Sequence, residues 1–298
     1  MGQNTRMPNL IIGGVFKAAT TSLFAYLTLH PDICGSSRKE TRYFTLLANG
    51  DNAMTREEYT GYFNACGDVR YLLEASPDYF YGKADVARIM HDMLPDDTKI
   101  IFLLREPVER SISHFRHEKK FMTMDKDVSI DDYVRGWRAS VEYDDYFFPL
   151  EGSHYVNYLP PWFEIFGDRV RVYFFDQMRD ERDAVLHDIA AWLDIDPALF
   201  PYDQMHVENV TTGYKNALMQ RVALAVNRQG EAFWRSNPGL KRGLKRVYTM
   251  INGEKATDKP EDEQTDLLRD AYTESNRALA ALLRERGYTN LPTWLAHT

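Results

Sequence analysis

Residues 10–23 read Leu-Ile-Ile-Gly-Gly-Val-Phe-Lys-Ala-Ala-Thr-Thr-Ser-Leu, and this stretch decides the fold. The apolar run from Leu10 to Ile12 breaks at Gly13-Gly14 and passes through Lys17. It then meets Thr20-Thr21-Ser22, just before an amphipathic stretch carrying Leu23, Phe24, Tyr26 and Leu27. The pattern is strand, turn, helix. The first N–H groups of a helix have no intrahelical partner and its N-terminal end is positive, so an anion held in the turn would face both. Lys17 adds a point charge, and the hydroxyls of Thr20, Thr21 and Ser22 add donors. A phosphate-type ligand gripped by Lys17, Ala18, Ala19, Thr20, Thr21 and Ser22 is the leading expectation. The turn departs from the loop that holds nucleoside triphosphates, where Lys directly precedes Ser or Thr after a second Gly. Here Lys17 stands three residues before Thr20. The bland alternative is a plain strand–helix turn with a capping Thr.

A second segment strengthens the phosphate reading. Lys99-Ile-Ile-Phe-Leu-Leu-Arg-Glu-Pro-Val-Glu-Arg-Ser-Ile-Ser113 reads as a buried parallel strand ending at Arg105, with Pro107 at a helix start. Open α/β sheets gather ligand-binding groups at the C-terminal ends of their strands, where Arg105 falls. Arg105 and Ser113 together would grip a second phosphate. Arg110 is read either as part of this grip or as a structural partner for Glu106 or Glu109.

The two segments together resemble the sulfotransferases that use 3′-phosphoadenosine 5′-phosphosulfate (PAPS). The turn from Lys17 to Ser22 is similar to that family's 5′-phosphosulfate loop, and Arg105-x-Pro-x-x-Arg-x-x-Ser113 to its 3′-phosphate motif. Leu29-His30-Pro31 and Glu40-Thr-Arg-Tyr-Phe44 fit the heparan-type and related bacterial carbohydrate branch, and weaker likeness runs on through Gly167–Asp176 to Asp270–Asn276. The resemblance implies sulfuryl transfer from PAPS to an acceptor hydroxyl or amine, by in-line displacement and without a metal. Such an enzyme aligns the reactants and stabilises charge on the bridging oxygen, a role that suits Lys17.

The resemblance also names Glu40 as the proposed base, with Glu74 in Glu74-Ala-Ser-Pro-Asp-Tyr-Phe80 as its rival. Glu74 reads equally well as a strand-end carboxylate with a structural partner. Heparan-type relatives often carry Lys after the equivalent of Glu74, and this chain has Ala75. Lys39, Arg42 and Lys215 are candidate replacements, and the heparan-type substrate is not carried over. Lys215 also lies where relatives close a loop over the cofactor. The expected acceptor is a small molecule or glycan, with a carbohydrate first and a lipid-linked sugar or secondary metabolite as the alternatives. The rival classes are a nucleoside-triphosphate kinase with a degenerate loop, for which Glu74 is the candidate magnesium ligand, and a non-catalytic nucleotide-binding module.

The chain has 298 residues, 44% of them hydrophobic and 13% aromatic, enough for a substantial core. The expected architecture is α/β, a P-loop-like central parallel sheet flanked by helices, in one domain over residues 1–298. Strands are expected at 9–14, 71–75, 99–105 and 170–176, and helices at 181–194, 215–229 and 261–286, the last ending at Gly287. Residues 46–70 read as loop plus short helix, and 125–160 as a connection that wraps the active site. Net charge is −8, from 36 basic and 44 acidic residues, which argues against general nucleic-acid or anionic-membrane binding.

Cys34 and Cys66 read as two ordinary thiols in a reducing compartment. No apolar signal core precedes the first strand, and Arg6 replaces the Ser or Thr of a myristoylation start. The expectation is a cytoplasmic protein without a stable membrane anchor. His114 and His117 lie one helical turn apart, but with no third ligand they read as ordinary histidines. The basic stretch from Arg235 to Arg246 reads as a solvated helix face or a receiver for an anionic acceptor. Tyr143, Tyr146, Phe147, Phe148, Tyr155 and Trp162 read as core or as stacking platforms for sugar rings.

Overall fold

The computed structural model describes residues 5–125, 127–139, 150–205, 213–229, 238–254 and 262–296. Its centre is a sheet of five parallel strands in the order β2-β3-β1-β4-β5. The strands are β1 (Leu10–Gly14), β2 (Ile33–Gly35), β3 (Tyr71–Ala75), β4 (Lys99–Leu104) and β5 (Val170–Phe174). β1 and β3 are buried along their whole length and β4 nearly so, as parallel strands covered on both faces must be. Four of the five match the apolar runs of the sequence; β2, only three residues long, was not legible there.

The register places Ile12 beside Ala75 and Ile101. β1 thus sits between β3 and β4, and the strand order reverses around it. That reversal opens a crevice beyond the strand ends, where ligands bind in open α/β sheets.

The chain divides into two compact units, the first comprising Met1–Arg110, Asp144–Asn209 and Arg269–Thr298, the second Ser111–Tyr143 and Val210–Leu268. The first unit holds the sheet, and α1 (Thr20–Leu27), α2 (Tyr43–Asn49), α3 (Arg56–Gly61) and α4 (Lys83–Met93) follow its first strands. α5 (Pro107–Phe121) starts in this unit and runs on into the second, which also holds α6 (Ile130–Ala139). α7 (Pro160–Phe166), α8 (Phe175–Asp180) and α9 (Arg182–Leu193) also belong to the first unit. Its core runs through Leu10, Ile12, Phe80, Phe102, Trp162 and Leu186, all fully buried. Tyr155 and Trp162 belong to that core, the indole N–H of Trp162 donating to Phe80 O at 3.3 Å. The other aromatics considered as sugar platforms, residues 143–148, lie outside the described residues.

The last long helix spans Asp262–Glu285 and is closed by Gly287 at φ 84, with Tyr288 N donating to Leu283 O at 3.0 Å. In the second unit, α10 (Ala217–Gln229) is tied to the helix Pro238–Asn252, whose Asn252 Oδ1 accepts from Asn216 N at 2.7 Å. The basic stretch is therefore helical over its described part, with Lys245 and Arg246 exposed.

The cysteines correct the sequence expectation. Cys34 on β2 and Cys66 after α3 form a disulfide, their Cα atoms 5.7 Å apart. The physical reason is tertiary: Ser37 N donates to Tyr62 O at 2.8 Å, which brings the end of α3 back beside β2 within disulfide reach. A chain with this disulfide gives no ground for a reducing compartment. Among the described residues, no helix is long and apolar enough to cross a membrane.

Candidate active site

The Lys17 turn leaves β1 through Gly13 and Gly14, where side chains have no room. A Cβ on Gly13 would lie 2.6 Å from Phe102 Cε1, and one on Gly14 3.0 Å from the Pro77 carbonyl oxygen. The turn is anchored by Val15 N donating to Leu103 O at 2.9 Å and Ala18 N to Val15 O at 3.3 Å. Lys17 and Ala19 both sit in the left-handed region, at φ 70 and 67. This coil aims the N-terminus of α1 back over the strand ends. Ala19 caps α1 without a side-chain hydrogen bond, and the first turn of α1 carries no acidic residue. The end of α1 thus keeps its positive character where Thr20, Thr21 and Ser22 begin the helix. An anion is the ligand such an end accepts.

Arg105 follows β4 and reaches the same turn. Its Nη1 donates to Lys17 O at 3.3 Å, its Nε and Nη2 hold Glu109 Oε2 at 3.2 and 3.1 Å, and its guanidinium lies 4.2 Å from the Phe175 ring centre. The structure therefore joins the arginine of the second motif to the backbone of the first. Arg110 takes a different part. It is fully buried, donating from Nε to Ser153 Oγ at 2.7 Å and from Nη1 to Tyr81 OH at 3.1 Å, while Glu109 pairs with Arg105. Arg110 ties α5 to the core beneath it.

Ser113 and Lys215 belong to the second unit. Ser113 is half-buried on α5, and Lys215 is exposed, its N–H donating to Asn252 O at 2.9 Å. His114 faces Glu118, Nε2 to Oε1 at 3.3 Å, and no cluster of metal-ligating side chains occurs among the described residues.

Glu40 and Glu74 meet at the C-terminal end of β3. Glu40 N donates to Ala75 O at 2.8 Å, and Ser76 N donates to Ile12 O at 3.2 Å, so the Glu40 turn is seated beside the strand that feeds the phosphate turn. The Glu40 side chain is 45% exposed and holds the Lys39 ammonium at 2.7 Å. Glu74, by contrast, is fully buried. Its Oε1 accepts from Thr41 Oγ1 at 3.2 Å and Ser76 Oγ at 2.7 Å, and burial pushes its carboxyl up to about 7 against the pull of those hydrogen bonds.

The turn between them is strained. Glu40 and Arg42 are left-handed at φ 61 and 57, a conformation that costs a non-glycine residue about 1–2 kcal/mol. Arg42 N donates to Ser76 Oγ at 3.1 Å and its guanidinium lies 3.6 Å from the buried Asp78. Of the cations considered as substitutes for the lysine absent at Ala75, Lys39 thus faces Glu40 and Arg42 faces Asp78. Sequence reasoning missed Thr41, Ser76 and Asp78. Ser76, two residues after Glu74, was within reach of strand periodicity; Thr41 was not.

The fold and the turn define an α/β protein whose central strand ends at a helix N-terminus without a side-chain cap or an acidic residue in its first turn. Its relatives are consistent with that class. No protein-family model matches the chain. It is 34% identical over 123 residues to the membrane-associated sulfotransferase kil1 of Dictyostelium discoideum, covering 40% of this chain and 25% of that one. It is 23% identical over 300 residues to the bifunctional heparan sulfate N-deacetylase/N-sulfotransferase 1 of Caenorhabditis elegans, covering 97% of this chain and 31% of that one. The chain spans only about a quarter to a third of the length of these curated relatives. A crystal structure of a sulfotransferase from Alicyclobacillus acidocaldarius superposes with a TM-score of 0.59 at 25% identity, covering 76% of this chain and 95% of that one. The chain is therefore related to sulfotransferases, both bacterial and heparan-type.

Proposed function

We propose that this chain is a PAPS-dependent sulfotransferase acting on a hydroxyl or amine of a carbohydrate or glycoconjugate. The observation that carries the reading is the pairing of two turns on neighbouring strands. The cationic turn at Lys17 leaves β1, and the turn presenting the solvent-facing Glu40 is bonded to the end of β3. One turn suits the anionic donor, the other a proton leaving the acceptor.

In this reading, Lys17 and the first N–H groups of α1 hold the 5′-phosphosulfate, and Arg105 the 3′-phosphate. The acceptor oxygen or nitrogen forms a new bond to sulfur as the bond from sulfur to the bridging oxygen breaks. The acceptor proton passes to Glu40, and Lys17 stabilises the charge arriving on the bridging oxygen. Adenosine 3′,5′-bisphosphate and the sulfated acceptor leave. The chemistry uses PAPS as its donor and asks no metal of these residues. The kinase reading is weaker because Glu74, its candidate magnesium ligand, is fully buried with two hydroxyls on its Oε1. The glycan acceptor is supported by the relative named for N-sulfation of heparan sulfate; sulfation of a lipid or secondary metabolite would use the same residues.

Calorimetry with adenosine 3′,5′-bisphosphate, ADP and ATP, with and without magnesium, tests the donor, and transfer from labelled PAPS to a panel of glycans tests the acceptor. Preference for the 3′-phosphorylated nucleotide without metal is the expected result. Preference for ATP with magnesium would overturn the reading.

A further inference from the structure

We infer that Glu74 is a positioning residue whose Oε1 holds the Glu40 turn in its productive shape, an inference that rests on Glu40 being the proton acceptor. The backbone from Glu40 to Tyr43 passes through two left-handed residues, which an unconstrained chain leaves readily. Four contacts restrain it. Glu40 N is held by Ala75 O at 2.8 Å and Arg42 N by Ser76 Oγ at 3.1 Å, while Tyr43 N lies 3.4 Å from Thr41 Oγ1 and Thr41 Oγ1 lies 3.2 Å from Tyr79 OH.

Three of these four contacts run through the hydroxyls of Thr41 and Ser76. A hydroxyl has one proton to donate. Thr41 and Ser76 each spend theirs on Glu74 Oε1, at 3.2 and 2.7 Å. That choice turns the hydroxyl oxygens toward the backbone N–H groups and orients them as acceptors. Tyr79 OH lies 3.2 Å from Thr41 Oγ1, and either oxygen can donate in that contact. One buried acceptor therefore sets the direction of both hydroxyls. The other oxygen, Oε2, is buried without a hydrogen-bond partner. What the turn requires of residue 74 is a single acceptor oxygen, not a negative charge. The ionisable groups facing it are Asp78, Tyr59 and Tyr79, with Tyr43 and Arg42 beyond them, and Glu40 itself points outward.

This separates Glu74 from Glu40 by experiment. Glu74→Gln keeps an acceptor oxygen at the Oε1 position and removes any ability to take a proton. Glu74→Gln and Thr41→Ser are expected to hold kcat within about threefold of wild type. Glu74→Leu and Thr41→Val are expected to lower kcat by about tenfold or more with KM for PAPS unchanged, and to speed amide hydrogen exchange across residues 39–43 only. The Thr41 pair carries the test should Glu74→Leu not fold.

A Glu74→Gln enzyme as inactive as Glu40→Gln would overturn the inference and make Glu74 the proton acceptor. Unchanged kcat and exchange in Thr41→Val would overturn it as well. If the wild-type chain transfers no sulfuryl group, the proposed function fails, and the exchange measurement alone decides this inference. Faster exchange at residues 39–43 in Thr41→Val but not in Thr41→Ser supports it, and equal exchange in both refutes it.

Discussion

Arg105 Nη1 donates to the backbone carbonyl of Lys17 across 3.3 Å, although the two residues stand 88 positions apart in the chain. The guanidinium that follows β4 thus buttresses the turn that follows β1. The ends of β1 and β4 are joined at this contact, and Arg105 has a structural partner in Lys17 as well as an ionic one in Glu109. A ligand reaching this corner would compete with Glu109 for the same guanidinium.

Replacing Arg105 with Ala should weaken binding of adenosine 3′,5′-bisphosphate by roughly ten- to a hundredfold, the worth of one charge-assisted contact of about 1.5–3 kcal/mol. Calorimetry with the bisphosphate and with 5′-AMP separates its two roles. A loss confined to the bisphosphate assigns Arg105 to the 3′-phosphate. An equal loss for both nucleotides would leave it only the task of holding the Lys17 turn.

Lys17 and Glu40 should fail differently. Lys17→Ala is expected to abolish turnover. Glu40→Gln is expected to cut kcat by roughly 10²–10⁴ while bisphosphate affinity stays near wild type. Steady-state kinetics with PAPS and titration of the nucleotide product check both. Near-normal turnover in either variant would remove that residue from the mechanism.

The Cys34–Cys66 disulfide closes a loop of sequence separation 32 and staples the edge strand β2 to the segment after α3. Its loss should destabilise the chain by roughly 3–4 kcal/mol, from the loop-closure entropy returned to the unfolded state. Urea unfolding with and without reductant, and of Cys34→Ser, measures this. Identical midpoints under both conditions would show that the two sulfurs are not bonded in solution.

The contribution of Glu74 to stability should fall as pH rises from about 5 to 7. Burial raises the Glu74 carboxyl from 4.5 to about 7, so between those values the folded chain holds a proton that the unfolded chain has released. The stabilisation is fully present below the unfolded value and is lost as pH climbs through the folded one. It amounts to roughly 3 kcal/mol. Asp78, also raised by burial, adds to the slope with the same sign. Urea midpoints from pH 5 to 8 should therefore fall less steeply for Glu74→Gln than for wild type. Parallel curves would show that Glu74 does not titrate in this range.

Much of the fold was legible because it is written locally. The runs at Leu10–Gly14, Tyr71–Ala75, Lys99–Leu104 and Val170–Phe174 are apolar enough to be buried on both faces, and that composition alone marks parallel strands. Gly13, Gly14, Lys17 and the Thr20–Ser22 helix start lie within a few residues of one another, so their spacing already describes a strand, turn and helix.

What only the tertiary structure decided depends on partners distant in the chain. β2 is too short to show a period and exists by pairing with β3. Cys34 finds Cys66 only once α3 folds back beside it. Arg110 could be read as a partner of its neighbours Glu106 and Glu109, yet it is buried against Ser153 and Tyr81. Glu40 and Glu74 are both carboxylates that the sequence offers for the same role, and residue type alone does not tell them apart. The sheet does so, sealing Glu74 beneath Thr41 and Ser76 while leaving Glu40 in reach of solvent. Residue type and spacing determine which groups are available for chemistry. Burial, which only the folded chain imposes, determines which of them meets a substrate.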